Sequence, residues 1–188
     1  AIIIDNEKNA RTYLKKQLKK LVLQVDIVGE ANYVETGIEL IKNSYPDLVF
    51  LDVQIANGTG FDILEKLSAE KLLFFKTIFT SAYDHYAIKA IRFNALDYLT
   101  KPIVLKELKT AVDKALQLKA EKNGSDKHAS KENGYQTLNT LKKIAINTNE
   151  RMLICSVSEI VRCESKGNYT IIHLQHQGSI MTSKTLKE

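Results

Sequence analysis

The feature that most limits the fold is an apolar run of four residues, Leu48 to Leu51, that leads directly into Asp52. The chain then enters the turn-forming sequence Asn57-Gly58-Thr59-Gly60. A short continuous apolar run bounded by turn residues is typical of a strand buried on both faces of a sheet. We therefore expect Asp52 to stand where a central strand emerges into a loop. In open α/β sheets, that edge is where ligands bind.

Strand-like and helix-like segments alternate five times in residues 1–119. Strands are predicted at Ala1–Ile4, Val25–Val28, Leu48–Leu51, Thr77–Thr80 and Ala95–Leu99. Apolar residues at helical spacing predict helices within Asn9–Leu21, Val34–Ile41, Phe61–Leu67, Tyr86–Ile91 and Leu105–Leu116. This alternation predicts an α/β domain with a five-stranded, doubly wound parallel sheet and helices on both faces.

The amino-acid composition changes after this domain. Residues 120–140 are polar, with almost no apolar side chain, and are predicted to be a flexible linker. Residues 141–188 contain short β-rich runs separated by turn residues, at Lys143–Ile146, Met152–Ser156, Ile160–Cys163, Tyr169–Leu174 and Ser179–Thr182. They predict a small, partial all-β module.

Composition narrows the class of protein. Of the 188 residues, 44% are apolar and 26% charged, as in soluble globular proteins. No apolar run approaches the roughly 20 residues of a membrane helix, so we expect no membrane association. Two cysteines do not form a disulfide framework, so the predicted location is the cytoplasm. Of the net charge of +5, residues 120–188 carry +3, a mild excess compatible with binding to nucleic acid.

Polar residues follow four of the predicted strands: Asp5, Asp52, Ser81 and Lys101. The carboxyl ends of parallel strands lie at one edge, so these side chains are expected to converge. Carboxylates gathered there repel each other unless a hard cation such as Mg²⁺ neutralises them. A lysine and a hydroxyl group beside them suit an anion, and the whole set suits phosphoryl transfer.

The segments Asp5-Asn6-Glu7, Asp52, Ser81-Ala82 and Tyr98-Leu-Thr-Lys101-Pro102 resemble the response-regulator receiver domain of bacterial two-component signalling. The resemblance covers residues 1–119 and implies a flavodoxin-like fold. It implies that Asp52 accepts a phosphoryl group from a sensor histidine kinase. The resemblance also implies that the metal ligands are Asp5, Asn6, Asp52 and the backbone carbonyl of Gln54. Lys101 and Ser81 are implied to bind the phosphoryl group, Tyr98 to act as the aromatic switch, and the Lys101–Pro102 bond to be cis.

Two positions depart from the receiver pattern. The family usually has a second acid, a direct metal ligand, where this chain has Asn6. An amide oxygen still ligates, but one negative charge is lost, so Mg²⁺ is expected to bind more weakly; whether Glu7 compensates is left open. The family usually has proline at the position of Ala56, and its loss is expected to loosen the loop.

The C-terminal part resembles the start of a LytTR-type DNA-binding domain. The matching segments are Lys143-Ile-Ala-Ile146, the sequence from Glu159 to Tyr169, and Ser183-Lys-Thr-Leu186. The resemblance implies base contact by Asn168 and phosphate contact by Lys166. The family domain is longer than residues 141–188, so we expect its later DNA-contacting segments to be missing from this sequence.

The sequence thus predicts a response regulator that controls transcription, dimerises on phosphorylation and performs no turnover catalysis. The alternative, favoured by Asn6, is a degenerate receiver that acts as a phosphorylation-independent interaction or DNA-binding module. An aspartyl phosphohydrolase of the haloacid-dehalogenase type is disfavoured. Such enzymes place two aspartates after the first strand, where this chain has Asp5-Asn6-Glu7.

Overall fold

The computed structural model describes residues 1–21, 25–125, 143–148, 152–175 and 178–183. The chain divides into two compact units, Ala1–Asn123 and Gly124–Glu188. None of the helices in the described parts of the chain combines the length and apolar character that a membrane crossing requires.

The first unit alternates strands and helices. Its strands are β1 (Ile2–Ile4), β2 (Gly29–Ala31), β3 (Leu48–Asp52), β4 (Gln54–Ile55), β5 (Gly58–Thr59), β6 (Lys76–Ser81) and β7 (Asp97–Thr100). Its helices are α1 (Lys8–Lys20), α2 (Val34–Ser44), α3 (Gly60–Ala69), α4 (Ala87–Arg92) and α5 (Leu105–Ser125).

Five of these strands form one sheet in the order β2-β1-β3-β6-β7, and every neighbouring pair is parallel. The five-stranded parallel sheet predicted from the alternation is confirmed. The short strands β4 and β5 form a separate antiparallel ladder in the loop after Asp52, which the sequence did not indicate.

Alternate residues of the strands point to opposite faces of the sheet, and an apolar layer lies on each face. On one face, Ile3 and Phe50 belong to a cluster with Leu14 of α1 and Leu108 of α5. On the opposite face, Gly37 of α2 lies so close to the sheet that an added Cβ would stand 3.1 Å from a methyl group of Ile4. The same Cβ would stand 2.9 Å from Ile63 of α3. Helices therefore cover both faces, which explains why the central strands are continuously apolar.

Two predicted strands are shifted in the structure. The strand expected at Val25–Val28 is wrong: the residues that pair with Ile2–Ile4 are Gly29–Ala31. The apolar pattern around Val25 has another cause, since Val25 and Ile27 pack against the core without joining the sheet. The last strand begins at Asp97, two residues after the predicted start at Ala95, which is buried before the strand.

The second unit is built of β-strands, as predicted, and the structure shows that they pair antiparallel. Strands β8 (Lys143–Asn147) and β9 (Met152–Ser156) form one ladder, and β10 (Ile160–Lys166), β11 (Tyr169–Leu174) and β12 (Gly178–Thr182) form a three-stranded sheet. They share a small core that contains Ile146, Leu153, Cys155, Ile172 and Leu174. Of the predicted linker, residues 126–140 lie outside the described residues, whereas α5 continues through Ala120 to Ser125.

Candidate functional site

Four strand ends meet at the carboxyl edge of the sheet. Asp5 follows β1, Asp52 ends β3, Ser81 ends β6 and Lys101 follows β7. The parallel register places these ends level: Ile4 is opposite Leu51, Asp52 is opposite Thr80, and Ser81 is opposite Thr100. The structure therefore gathers at one edge the residues that the strand pattern predicted to converge.

A single ammonium group bridges the two buried carboxylates of this edge. Lys101 Nζ lies 2.7 Å from Asp52 Oδ2 and 2.8 Å from Asp5 Oδ2. Each carboxylate side chain is only 5% exposed. Hydrogen bonds between charged groups are stronger than those between neutral groups. Lys101 thus compensates two charges that would otherwise repel each other.

Burial and the contacts with Lys101 and Asp5 shift the pKa values of the side chains at this edge. Burial raises the pKa of Asp52 from 3.8 to about 6, and the negative charge of Asp5 adds to this, while the Lys101 hydrogen bond opposes it. Burial acts to lower the pKa of Lys101, but the hydrogen bonds to Asp5 and Asp52 outweigh burial and leave that pKa raised. At neutral pH, Asp52 is therefore ionised and Lys101 is protonated.

A third carboxylate, Glu7, joins the cluster. One oxygen each of Asp5, Glu7 and Asp52 lie within 4.8 Å of one another, and Glu7 Oε1 lies 3.8 Å from Lys101 Nζ. Hard oxygen donors gathered in this way suit Mg²⁺, so the donor set fits the predicted cofactor. Asn6 is exposed beside them, and its predicted ligand role remains a prediction. Sequence reasoning left the part of Glu7 open because spacing alone does not show which side chain after Asp5 reaches the site.

The backbone around Asp5 is fixed by contacts that the sequence did not reveal. The Arg11 guanidinium donates to the Asp5 carbonyl at 2.7 Å and to the Glu30 carboxylate at 3.1 Å. The Asp5 N–H donates to the Ala31 carbonyl at 3.1 Å. These bonds join α1 and β2 to the turn that carries the carboxylate. Arg11 and Glu30 are distant in sequence, so no local pattern marks them as partners.

The loop after Asp52 holds this carboxylate from the other side. The Gln54 N–H donates to Asp52 Oδ1 at 3.2 Å, while Oδ2 accepts from Lys101. The Ala56 N–H donates to the Asn32 carbonyl at 3.2 Å, a bond that the proline typical of the family could not make. The loop is therefore attached to the segment after β2 at this point. The metal contact expected from the Gln54 carbonyl remains a prediction.

Helix α3 starts close beneath the phosphoacceptor candidate. A Cβ on Gly60 would lie 2.4 Å from the backbone oxygen of Asp52, so only glycine fits there without a shift. Thr59 caps the helix: its hydroxyl accepts from the Asp62 N–H, and the Asp62 carboxylate accepts from the Thr59 N–H. This capping box fixes where the loop ends and the helix begins.

Ser81 and Tyr98 are linked through one loop residue. The Ser81 hydroxyl accepts from the Tyr83 N–H at 3.1 Å, and the Tyr98 hydroxyl donates to the Tyr83 carbonyl. Tyr98 is 2% exposed, and burial raises its pKa to about 12. The aromatic ring therefore lies inside the fold. The Lys101–Pro102 bond is cis, as the resemblance implied.

The DNA-contact candidates lie in the second unit. Lys166 ends β10, and Asn168 stands in the two-residue turn before β11; both are exposed. Gly167 takes a φ of 62°, which glycine adopts readily. Most of the Ser183-Lys-Thr-Leu186 motif lies outside the described residues.

Comparisons with known proteins agree with this architecture. The response regulator receiver domain family matches residues 1–113. The sensory transduction protein LytT of Bacillus anthracis is 31% identical over 170 residues, which cover 85% of this chain and 63% of that protein. LytR of Staphylococcus haemolyticus is 28% identical over 188 residues, which cover 94% of this chain and 71% of that protein.

Among solved structures, the receiver (REC) domain of AraT, a response regulator from Geobacillus stearothermophilus, is similar with a TM-score of 0.55 and 26% identity. The similarity covers 64% of this chain and 95% of that domain. The chain thus covers nearly all of that receiver domain but only 63% of the length of the Bacillus anthracis LytT protein. The family match over residues 1–113, together with the parallel sheet and its charged edge, shows that this chain belongs to the response regulator family through its receiver domain.

Proposed function

We propose that this protein is a two-component response regulator that accepts a phosphoryl group on Asp52 from a phosphohistidine of a sensor histidine kinase. The observation that supports this most directly is the Lys101 ammonium group shared by Asp5 and Asp52 at the strand ends. A buried, ionised carboxylate thus lies next to a fixed cation, which suits a nucleophile. Phosphoryl transfer depends mostly on such positioning and charge neutralisation.

The proposed transfer makes one bond and breaks one. A carboxylate oxygen of Asp52 attacks the phosphorus atom, and the bond from phosphorus to the histidine nitrogen breaks. The imidazole, protonated on its other nitrogen, leaves as a neutral ring. Lys101 balances the charge of the transferred group, and the Ser81 hydroxyl donates a hydrogen bond to it. Water later hydrolyses the acyl phosphate, which releases inorganic phosphate and restores the Asp52 carboxylate. Because the aspartyl phosphate serves as a transient signal, we expect the protein to act as a regulator and not as a turnover enzyme.

The proposed metal ligands are the predicted set of Asp5, Asn6, Asp52 and the Gln54 carbonyl. The carboxylates fit a hard divalent cation because their oxygens already lie within 4.8 Å of one another with Glu7. When bound, Mg²⁺ supplies positive charge that offsets the carboxylates and the phosphoryl oxygens.

The experiment is to incubate the protein with Mg²⁺ and acetyl phosphate and to measure its intact mass. We expect the wild type to gain one phosphoryl group and Asp52→Asn to gain none. Asp113→Asn, which removes a half-buried carboxylate of α5 that pairs with Lys109, should match the wild type. Equal gain in Asp52→Asn would refute Asp52 as the acceptor. No gain in any variant would instead support the phosphorylation-independent module that Asn6 favours.

We further propose that the C-terminal unit contacts DNA, as in a transcription regulator. The exposed turn with Lys166 and Asn168 supports this. Fluorescence anisotropy with labelled duplex DNA tests it. Lys166→Ala should weaken binding and reduce the salt dependence of log K by about 1, whereas Lys106→Ala in the receiver should change neither. Identical binding and salt slope in the two variants would count against Lys166.

We also propose that phosphorylation favours a homodimer through the surface of α4, β7 and α5. Ile88 of α4 is 62% exposed, and Val104, just before α5, is 52% exposed. Sedimentation velocity before and after phosphorylation should show the shift to a dimer, and Ile88→Ser should reduce it. A mass that stays monomeric after confirmed phosphorylation would refute this.

We propose that the protein is located in the cytoplasm.

A further inference from the structure

We infer that Glu7 is a direct ligand of the divalent cation and takes the place of the acid that is missing at Asn6. This inference rests on the proposed function, because it concerns the metal that phosphoryl transfer at Asp52 would use. It adds to that function a residue outside the set that the receiver pattern predicts.

The first support is the position of the Glu7 carboxylate. Its oxygen lies within 4.8 Å of oxygens of both Asp5 and Asp52, so one ion placed among them is within reach of three carboxylates. Glu7 is also the most exposed of the three, with 65% of its side chain accessible, whereas Asp5 and Asp52 are 5% accessible. An exposed carboxylate on a longer side chain adjusts readily to an arriving ion.

The second support is the turn that brings residue 7 to the site. The Glu7 N–H donates to Asp5 Oδ1 at 2.8 Å, a local bond that bends the chain back over two residues. Glu7 is the N-cap residue of α1, yet its side chain makes no capping hydrogen bond. The helix therefore makes no use of this carboxylate, and the turn holds its backbone beside Asp5.

The third support is the charge of the cluster. Lys101 is shared by Asp5 and Asp52, so those three groups alone carry one net negative charge. Asn6 adds no charge. With Glu7 the cluster carries two net negative charges, the amount that a divalent cation neutralises. Glu7 thus restores the charge that the asparagine removes.

The test measures Mg²⁺ affinity by isothermal titration calorimetry at fixed ionic strength, without any phosphodonor. We expect Glu7→Gln to bind Mg²⁺ on the order of tenfold more weakly than the wild type. The matched control is Glu39→Gln, which removes the same charge from an exposed position of α2. The double variant Asn6→Asp/Glu7→Gln should regain most of the lost affinity, because it returns an acid to the site.

Equal affinities for Glu7→Gln and Glu39→Gln would overturn the assignment, and so would a failure of Asn6→Asp to rescue. Circular dichroism melting in EDTA confirms that the variants fold. The outcome is independent of the phosphorylation assay. If the wild type takes a phosphoryl group but Glu7→Gln binds Mg²⁺ normally, only this inference fails. If Mg²⁺ binding depends on Glu7 but Asp52 takes no phosphoryl group, only the proposed function fails.

Discussion

The ammonium group of Lys101 lies 2.7 Å from Oδ2 of Asp52, a residue 49 positions earlier in the chain. This contact joins the edge strand β7 to the central strand β3 across β6. Because both groups are largely buried, removing either one changes the charge balance of the whole edge.

Replacing Lys101 by methionine should raise the pKa of Asp52 above its present value of about 6. The hydrogen bond and the positive charge of Lys101 both lower that pKa, while burial and Asp5 raise it. Carbon-detected NMR titration of the Asp52 carboxyl group, in metal-free buffer, measures the change. Lys66→Met, on an exposed position of α3, should leave the titration as in the wild type. A lower pKa in Lys101→Met would contradict the bridging role.

Replacing Asp52 by asparagine should stabilise the metal-free fold at pH 7.5, by about 1–2 kcal/mol. The pKa of this acid is raised from 3.8 to about 6, so its ionisation disfavours the folded state above pH 6. Below pH 3.8 both states are protonated and the effect vanishes. The gain should therefore fade as the pH falls from 6 towards 4. Urea unfolding at a series of pH values tests this, and a gain that grows towards low pH would refute it.

Replacing Gly60 by alanine should destabilise the fold by about 1–3 kcal/mol, the usual cost of overpacking. The new Cβ would stand 2.4 Å from the Asp52 backbone oxygen and 2.7 Å from Leu51 Cγ, so β3 or α3 must move. Urea unfolding gives the loss of stability, and Ser68→Ala at the exposed end of α3 is the control. Equal free energies of unfolding for the two variants would show that the first turn of α3 shifts at no cost in stability.

Replacing Tyr98 by phenylalanine should cost about 1 kcal/mol. The hydroxyl group is the donor to the Tyr83 carbonyl, and its loss leaves that loop without this attachment. Amide hydrogen exchange should then rise in the loop after β6 and stay constant in β1. Tyr45→Phe, at a side chain that is 71% exposed, should have no such effect. Unchanged exchange in the loop would show that other contacts hold it.

The parallel sheet and the strand-end residues were predictable because both follow from local patterns. Buried strands are continuously apolar, and the residue that ends each strand is set by where the apolar run stops, as at Leu51-Asp52. The strand at Gly29–Ala31 was missed because Val25–Val28 has the stronger β-propensity. Pairing with β1 determines which residues form the strand, because β-propensity depends strongly on the structural context.

The contacts that complete the site were less predictable. The reach of Glu7 and the bonds from Arg11 to Asp5 and Glu30 depend on how α1 lies against β1 and β2. Spacing in the sequence carries no such information. The roles of Ser81, Tyr98 and the Gln54 carbonyl came from the family resemblance and remain predictions for this chain.

The charged edge takes its residues from four separate strands, with Asp5 and Lys101 near opposite ends of the first unit. No single hairpin or helix contains more than one of these four residues. The site therefore exists only where the sheet holds these strand ends side by side. Metal affinity can therefore report that β1 and β3 are paired, since the carboxylates of the cluster lie at the ends of these two neighbouring strands.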